Sequence, residues 1–370
     1  MKNQLILRMV TTLVFSSILT AQDNPETENV AANDRSPWKL VDVETKASLR
    51  GLHVFSPSDI WASGSGGTII NSSDGGKTWR VRIVPGAEDL DFRDIHAIDE
   101  QTIVAITSGT PARIYRTHDG GLNWMRCFEN KDKKVFLDAL SFWDDKNGIV
   151  MGDPIDGSLF LLTTSDGGKT WIKLNRAPAS LPGEGGFAAS GTNMIRLGQH
   201  SALIGLGGAV NDNTKKTSRI LVTRNRGKKW TAATVPMNRN ASSGIFSICF
   251  SSPTEGVAVG GDYKKPDDTS SNYATTNDGG ETWLTPSVRQ PPSGFRSCVA
   301  VWVDGDDHYF VTVGTNGTDL SRDLGESWQC VSDEGFHAID FAPGGKHGWA
   351  TGGDGRVAKW IGIGKAVDGK

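Results

Sequence analysis

The octapeptide Ser72-Ser73-Asp74-Gly75-Gly76-Lys77-Thr78-Trp79 decides how this chain folds, because its pattern occurs six times in the sequence. The copies share the form Ser/Thr-x-Asp/Asn-x-Gly-x-x-Trp, and successive Trp residues are 45, 47, 59, 53 and 45 positions apart. The Asp or Asn and the Trp of each copy are Asp74 and Trp79, Asp119 and Trp124, Asp166 and Trp171, Asn225 and Trp230, Asp278 and Trp283, and Asp323 and Trp328. Self-similarity at such a period is typical of a repeat architecture in which each copy marks one structural unit.

Each conserved position of the repeat suits a tight turn between two strands. The Asp or Asn accepts hydrogen bonds from backbone N–H groups further along the turn. The Gly supplies a positive φ, and the Trp begins the next strand with a large packing face. Strand-like sequence flanks the first copy at 68–70 and 79–83. The repeat therefore predicts a hairpin turn with a structural role, and it lacks the further carboxylates that a calcium site would need.

The number of strands between successive turns predicts how many four-stranded units the fold contains. Two further strands separate successive turns, and three strands follow the last turn at 336–341, 348–352 and 356–360. A matching fourth strand stands at the other end of the chain, as Trp38-Lys39-Leu40-Val41. We therefore predict an all-β fold, a seven-bladed β-propeller whose N-terminal strand completes the last blade. Such closure removes exposed sheet edges.

The composition and the motifs of the sequence argue against several classes of function. The 370 residues carry a net charge of -3 and contain four Cys. No block of Lys and Arg stands in the sequence, so nucleic acid is not expected as a partner. The run 205–208 is rich in Gly but is followed by no helical pattern, and we expect no cofactor. His53 and His96 share a strand register, and we interpret them as packing residues between two blades, so no metal site is predicted.

The N-terminal residues have the pattern of a targeting segment. Lys2 and Arg8 precede a mildly apolar run that ends near Ala21, and polar sequence follows. This predicts a signal peptide at 1–21, a flexible leader at 22–35, the propeller at 36–364 and a tail at 365–370. We therefore expect an exported protein, periplasmic or extracellular, that has no membrane span and is a monomer.

The octapeptide resembles the Asp-box, also called the bacterial neuraminidase repeat. A seven-bladed Asp-box propeller behind a signal peptide resembles the photosystem II stability/assembly factor family and its bacterial relatives, over residues 36–364. The resemblance implies a non-enzymatic binding or assembly protein that uses an arginine-lined face. Photosynthetic members of that family act in the thylakoid lumen on a reaction-centre subunit, and bacterial relatives often carry an oxidoreductase label.

Three arginines recur at one register, the start of the innermost strand of a blade. They are Arg50, Arg93 and Arg296, and His337 holds the same register in the last blade. Their blades become neighbours when the ring closes, so we predict a basic arc on the face opposite the Asp-box turns. The planar guanidinium suits carboxylates and similar anions. The alternative is that each arginine pairs with a nearby carboxylate, such as Asp94.

Acidic and aromatic loop residues on the same face complete the predicted binding site. They are Asp153, Glu184, Asp262 and Tyr263. We expect this face to bind a protein partner or an anionic, carboxylate-bearing ligand. A sialidase-like glycoside hydrolase is the alternative, with Tyr263 as nucleophile, Glu184 as base and Asp153 as acid, and another enzyme is a further one. Sialidase domains have six blades and a Phe/Tyr-Arg-Ile-Pro start, which this sequence lacks.

Overall fold

The computed structural model describes residues 36–210, 216–287 and 290–363, and every regular element in these residues is a β-strand. The strands of the first half are β1 (Trp38–Val41), β2 (Leu49–Val54), β3 (Ile60–Gly64), β4 (Thr68–Ser72), β5 (Arg80–Ile83), β6 (Asp91–Ala97), β7 (Ile103–Ser108), β8 (Ala112–Thr117), β9 (Met125–Asn130), β10 (Leu137–Phe142), β11 (Gly148–Ile155), β12 (Ser158–Thr164), β13 (Ile172–Lys173) and β14 (Glu184–Gly185). The remaining strands are β15 (Met194–Leu197), β16 (Ser201–Gly205), β17 (Gly207–Gly208), β18 (Thr217–Thr223), β19 (Trp230–Asn238), β20 (Ser243–Phe250), β21 (Gly256–Asp262), β22 (Tyr273–Thr276), β23 (Cys298–Asp304), β24 (Asp307–Gly314), β25 (Gly317–Ser321), β26 (Gln329–Ser332), β27 (Ala338–Phe341), β28 (Gly348–Thr351) and β29 (Val357–Trp360). The predicted signal peptide, leader and tail lie outside the described residues.

The strands form seven antiparallel sheets, which are the blades of a propeller. In ring order, blades 1 to 7 are β2-β3-β4-β5, β6-β7-β8-β9, β10-β11-β12-β13, β15-β16-β18-β19, β14-β17-β20-β21-β22, β23-β24-β25-β26 and β27-β28-β29-β1. The prediction of an all-β, seven-bladed propeller is confirmed. Blade 5 departs from the pattern, because its outermost strand is reduced to the bridge between Thr275 and Leu284.

The ring closes through the N-terminal strand. β1 pairs antiparallel with β29, with Trp38 opposite Trp360 and Val41 opposite Val357, so the prediction that the first strand completes the last blade is confirmed. Trp38 is buried, and its indole N–H donates to Thr318 Oγ1 at 2.9 Å. Its ring centroid lies 4.8 Å from that of Trp360. One side chain therefore ties the closing strand to blades 6 and 7.

The Asp-box turns have the predicted hydrogen bonds and also join neighbouring blades. In the third turn, Asp166 accepts the Thr170 N–H at 3.0 Å and the hydroxyl hydrogens of Thr164 and Thr170 at 2.8 and 2.6 Å. The second Gly of the first turn, Gly76, has a φ of +81° and lies against Trp349 in the second strand of blade 7. A Cβ there would overlap the indole. The glycine is required by both the turn conformation and the contact between blades.

The direction of the strands determines at which of the two faces of the ring each connection lies. Strands alternate in direction within a blade, so the Asp-box turns lie at the same end as the connections from first to second strands. We call this end the box face. The starts of the innermost strands and the connections from second to third strands lie at the other end, which we call the loop face.

Side chains connect the innermost strands of neighbouring blades. His53 Nδ1 accepts the Ala97 N–H at 2.8 Å, which joins blades 1 and 2. Asp94 accepts the Leu140 N–H at 2.7 Å, which joins blades 2 and 3. Asp340 of blade 7 likewise accepts the N–H of Val54 in blade 1, at 2.7 Å. These bonds satisfy backbone donors that face the channel and have no partner strand.

A segment between blades 3 and 4 crosses the central channel. We call residues 188–193 the plug. Ser190 Oγ donates to Ser297 O of blade 6 at 2.9 Å, and Thr192 Oγ1 lies 2.7 Å from Ser247 Oγ of blade 5. On the opposite side of the channel, Gly191 packs so closely on Asp94 of blade 2 that a Cβ would overlap the carboxyl group. The plug therefore separates the two ends of the channel.

Closure through β1 predicts a large effect of a single substitution. Trp38→Ala removes buried aromatic area and the bond to Thr318, and we expect a loss of about 3–5 kcal/mol in the free energy of unfolding, measured in urea. Leu40→Ala on the same strand is the control, because Leu40 is 56% exposed, and we expect a change within about 0.5 kcal/mol. Equal effects of the two substitutions would contradict the closing role of Trp38.

The buried channel groups predict how stability depends on pH. Burial raises the pKa of Asp94 from 3.8 to about 8 and that of Asp340 to about 7. Between the unfolded and folded values the folded state holds a proton that the unfolded state has released, so stability falls as pH rises. Burial lowers the pKa of His53 from 6.5 to about 4, and stability therefore falls as pH drops below 6.5. Between about pH 4 and 6.5 the two trends oppose each other, and above pH 6.5, where the imidazole of the unfolded chain is already neutral, only the fall caused by the carboxyls remains.

Asp94→Asn tests the upper part of this profile. We expect the wild-type free energy of unfolding to fall by about 1 kcal/mol per pH unit for each titrating carboxyl between pH 6.5 and 8. Asp94→Asn cannot titrate and should show a shallower slope in urea unfolding across that range. Asp145→Asn, which replaces an exposed carboxylate, is the matched control and should keep the wild-type slope. The same slope in all three proteins would refute the assignment to Asp94.

Candidate functional site

The shared register of the loop-face residues comes from β-bulges. The first strands of blades 1, 2 and 3 shift register against the second strands, and the extra residues are Arg50, Arg93 and Asp138. A bulge re-aims the side chain of its extra residue away from the regular ladder. Sequence analysis missed Asp138, although Leu137-Asp138 holds the same position as Leu49-Arg50.

Four basic residues interact at this end of the channel. Burial lowers the pKa of His337 to about 3, and the charges of Arg50, Arg93 and Arg356 contribute to this effect. His337 is therefore neutral at neutral pH. Burial and Arg93 also lower the pKa of Arg50. We call these four residues the basic cluster. The structure brings together Arg50, Arg93 and His337 of the predicted arc and adds Arg356, which sequence analysis missed.

The three arginines of the basic cluster differ in their partners. Arg93 donates to Asp91 Oδ2 and to Ala188 O, both at 2.8 Å. Arg356 donates to Gly335 O at 2.8 Å. Arg50 is half-buried and makes no hydrogen bond or ion pair with any residue in the described ranges. Its donors therefore remain open to an anion that enters from the loop face.

Arg296 is not at the surface of the predicted arc. It is fully buried, and its Nε donates to Asp319 Oδ2. Its Nη1 donates to Phe295 O at 2.8 Å and to Asn316 Oδ1 at 2.7 Å. The alternative of an internal ion pair therefore describes Arg296, because Asp319 on β25 draws the guanidinium into the core of blade 6. The candidate site rests on the basic cluster without it.

Two of the predicted acidic residues form hydrogen bonds within the loops of the loop face. Both oxygens of Glu184 accept from Arg219, at 2.7 and 2.6 Å, and the carboxylate is buried. Asp153 Oδ1 accepts the Gly186 N–H at 3.0 Å, and burial raises the Asp153 pKa. Both residues hold the chain that leads into the plug.

The other two predicted residues lie on blade 5 and its loop. Asp262 accepts the Lys264 N–H at 3.0 Å, which forms a local turn. Tyr263 is 45% exposed, and its ring meets the rings of Phe187 and Phe246 edge-on, with centroids 6.3 Å away in both cases. Phe187 and Phe246 are themselves stacked at 4.1 Å. Tyr263 therefore belongs to an aromatic group beside the plug.

The sialidase-like arrangement is not assembled among the described residues. That chemistry needs a carboxylate that can take a proton from a tyrosine hydroxyl. Glu184 already accepts two bonds from Arg219, and the Tyr263 hydroxyl bonds to no carboxylate within the described ranges. The described residues also contain no group of three or more His, Cys, Asp or Glu side chains placed to hold a metal ion. No helix in this part of the chain could span a membrane.

Asp138 is the most unusual buried group of the site. Its side chain is fully buried, and neither carboxyl oxygen has a hydrogen-bond partner among the described residues. Burial and the nearby Asp153 raise its pKa well above the usual range, while Arg93 acts in the opposite direction. Burial therefore disfavours the charged form of Asp138, which weakens its ability to neutralise the basic cluster.

Comparisons with known proteins agree with this fold. The family model "Photosynthesis system II assembly factor YCF48" matches residues 30–131. The photosystem II assembly lipoprotein Ycf48 of Synechococcus sp. (strain CC9902) is 26% identical over 75% of this chain and 85% of its own length. The chloroplastic photosystem II stability/assembly factor HCF136 of Oryza sativa subsp. japonica is 25% identical over 78% of this chain and 72% of its own.

Solved structures show the same architecture. A structure titled "YCF48 bound to D1 peptide" has a TM-score of 0.60 and 18% identity, and covers 89% of this chain and 98% of its own. YCF48 from Cyanidioschyzon merolae has a TM-score of 0.58 and 19% identity, with 87% and 98% covered. The chain is thus an Asp-box β-propeller that resembles the photosystem II stability/assembly factor family.

Proposed function

We propose that this protein is an exported, non-enzymatic assembly factor that binds a carboxylate-bearing segment of a partner protein at the basic cluster. The observation that carries the proposal is Arg50, a half-buried cation without a partner in the described residues. The resemblance to photosystem II assembly factors supports the class of function, and the relative solved with a D1 peptide supports a protein partner.

The charge balance of the cluster favours an anionic ligand. Burial and the nearby charge of Arg93 lower the pKa of Arg50, and Asp91 acts in the opposite direction. Asp91 is already paired with Arg93 at 2.8 Å. A ligand carboxylate beside Arg50 would offset the burial of the guanidinium, and the two flat groups could form a bidentate pair.

The surroundings of the cluster favour a peptide over an isolated anion. Arg93 donates to Ala188 O, and the preceding residue, Phe187, stacks on Phe246. Tyr263 extends this aromatic group and is 45% exposed. A peptide can therefore place a carboxylate on Arg50 and an apolar side chain on Tyr263, because aromatic surfaces with an exposed edge bind such side chains.

Substitution of Arg50 tests the proposal. With a short peptide that ends in a free carboxylate as the probe, we expect Arg50→Ala to weaken binding at least about tenfold in calorimetry. The fold should be retained, because Arg50 makes no bond to the described residues. Arg126→Ala is the matched control, since Arg126 lies 49% exposed on the outer strand of blade 2. The same peptide with an amidated terminus should bind weakly to the wild-type protein.

Two results would overturn the proposed function. Undiminished binding of the free-carboxylate peptide to Arg50→Ala would refute the role of the basic cluster. Hydrolysis of a sialoside by the purified protein, with the activity lost in Tyr263→Phe, would show a glycoside hydrolase instead of a binding protein.

Arg296 is expected to affect stability through its internal pair. Arg296→Ala leaves Asp319 buried without its partner, which should lower the free energy of unfolding by about 3–5 kcal/mol. Arg93→Ala removes an ion pair that is partly exposed and should cost about 1 kcal/mol or less. The free energies of unfolding of both variants are measured in urea. An Arg296→Ala protein that is as stable as the wild type but binds the peptide more weakly would show that Arg296 belongs to the binding site.

A further inference from the structure

The box face contains a second cavity, at the opposite end of the channel from the basic cluster. Two adjoining spaces of about 480 and 570 Å³ share Asp340, Phe341 and Pro343 in their walls. The walls are the ends of the innermost strands, and Thr192 of the plug lines the second space. We call the combined cavity the box-face well. Because the plug separates it from the loop face, the well is distinct from the candidate site.

One wall of the well is a row of stacked rings. His53 and His96 lie 4.4 Å apart with an angle of 16° between their planes, and His96 lies 5.2 Å from Phe142 at 24°. His53 Nδ1 accepts the Ala97 N–H, so the proton of the neutral ring is on Nε2. His96 makes no hydrogen bond with the residues that the structure describes. Both imidazoles can therefore donate to a ligand.

Arg196 supplies a cation to the same wall. It lies on the first strand of blade 4, its side chain is exposed, and it has no hydrogen bond or ion pair within the described ranges. Its charge acts on both imidazoles, together with burial, to lower the pKa of His53 and of His96. The guanidinium and the two rings therefore face a common space.

The acidic groups of the well are already used or stand at its rim. Asp340 accepts the N–H groups of Val54 and Phe341 at 2.7 and 2.9 Å. Asp144 pairs with Arg226 at 2.8 Å, and Asp145 is exposed at the rim. Among the described residues, the carboxylates of the well are engaged or lie at its rim, whereas the Arg196 guanidinium and the imidazole N–H groups have no acceptor, so a ligand that supplies acceptor oxygens matches them.

We propose that the box-face well is a second binding site, in which Arg196 and the imidazole N–H groups of His53 and His96 hold a carboxylate group of a ligand. The carboxylate can belong to a small organic acid or to an acidic side chain of a peptide. The closed floor and the volume suit an inserted group of this size, and the flat stack beside Phe142 accommodates the apolar part of either ligand.

Binding of two probes tests the proposal, with succinate for the small acids and the peptide acetyl-Gly-Glu-Gly-amide for acidic side chains. We expect at least one probe to bind at millimolar concentration and to shift the imidazole NMR signals of His53 and His96. Arg196→Ala should weaken this binding at least about tenfold. His96→Phe keeps the stacked ring but removes the donor, and we expect a smaller loss of about threefold or more.

Matched controls separate the well from the basic cluster. Arg176→Ala removes an exposed arginine from the connection after β13 and should leave binding unchanged. Arg50→Ala should leave the probe-induced shifts of the His53 and His96 signals unchanged, because Arg50 lies at the loop face, so this readout does not depend on the proposed function. The proposal is refuted if neither probe shifts the imidazole signals, or if binding is equal in Arg196→Ala and the wild type. Binding that is lost in Arg50→Ala but kept in Arg196→Ala also refutes it, because the probe would then occupy the loop face.

Discussion

The structure depends on how the innermost strands of the seven blades satisfy their backbone groups. These strands lie side by side around the channel without a shared ladder, so N–H groups of one blade need acceptors from the next. His53, Asp94 and Asp340 supply such acceptors. The channel is consequently lined by polar and titratable side chains, and the requirement that joins neighbouring blades also determines the chemistry at both ends of the channel.

The blade count and the closure of the ring could be predicted because each depends on a short, contiguous stretch of sequence. Each Asp-box contains its own turn chemistry, and the pattern around Trp38 matches a strand that follows a turn. Blade 5 could not be predicted in the same way. Here the path of the chain brings Glu184–Gly185, from the connection between blades 3 and 4, against Gly207–Gly208, from the connection between the second and third strands of blade 4, and Gly207 pairs with Gly244 of β20. That path depends on contacts between residues far apart in sequence.

The candidate site was predictable to the extent that strand register determines it. Arg50 and Arg93 occupy equivalent bulges, and closure of the ring makes their blades neighbours. Register does not determine what a side chain meets once the chain is folded. Arg296 turns inward because Asp319 stands on a neighbouring strand of its own blade. Arg356 joins the cluster from a turn that precedes a third strand, a position that an alignment of innermost strands does not contain.

The plug explains why one channel can present an open arginine at each end. Arg50 lies at the loop face and Arg196 lies at the box face, and the plug separates these two ends. Burial raises the pKa of Asp94 to about 8, so this carboxyl is largely protonated at neutral pH, and burial also raises the pKa of Asp138 well above its usual range. A protonated Asp94 carries no charge that could offset either guanidinium through the low-dielectric interior. The same burial that makes these carboxyls costly to ionise therefore keeps both guanidinium groups available to anions from outside.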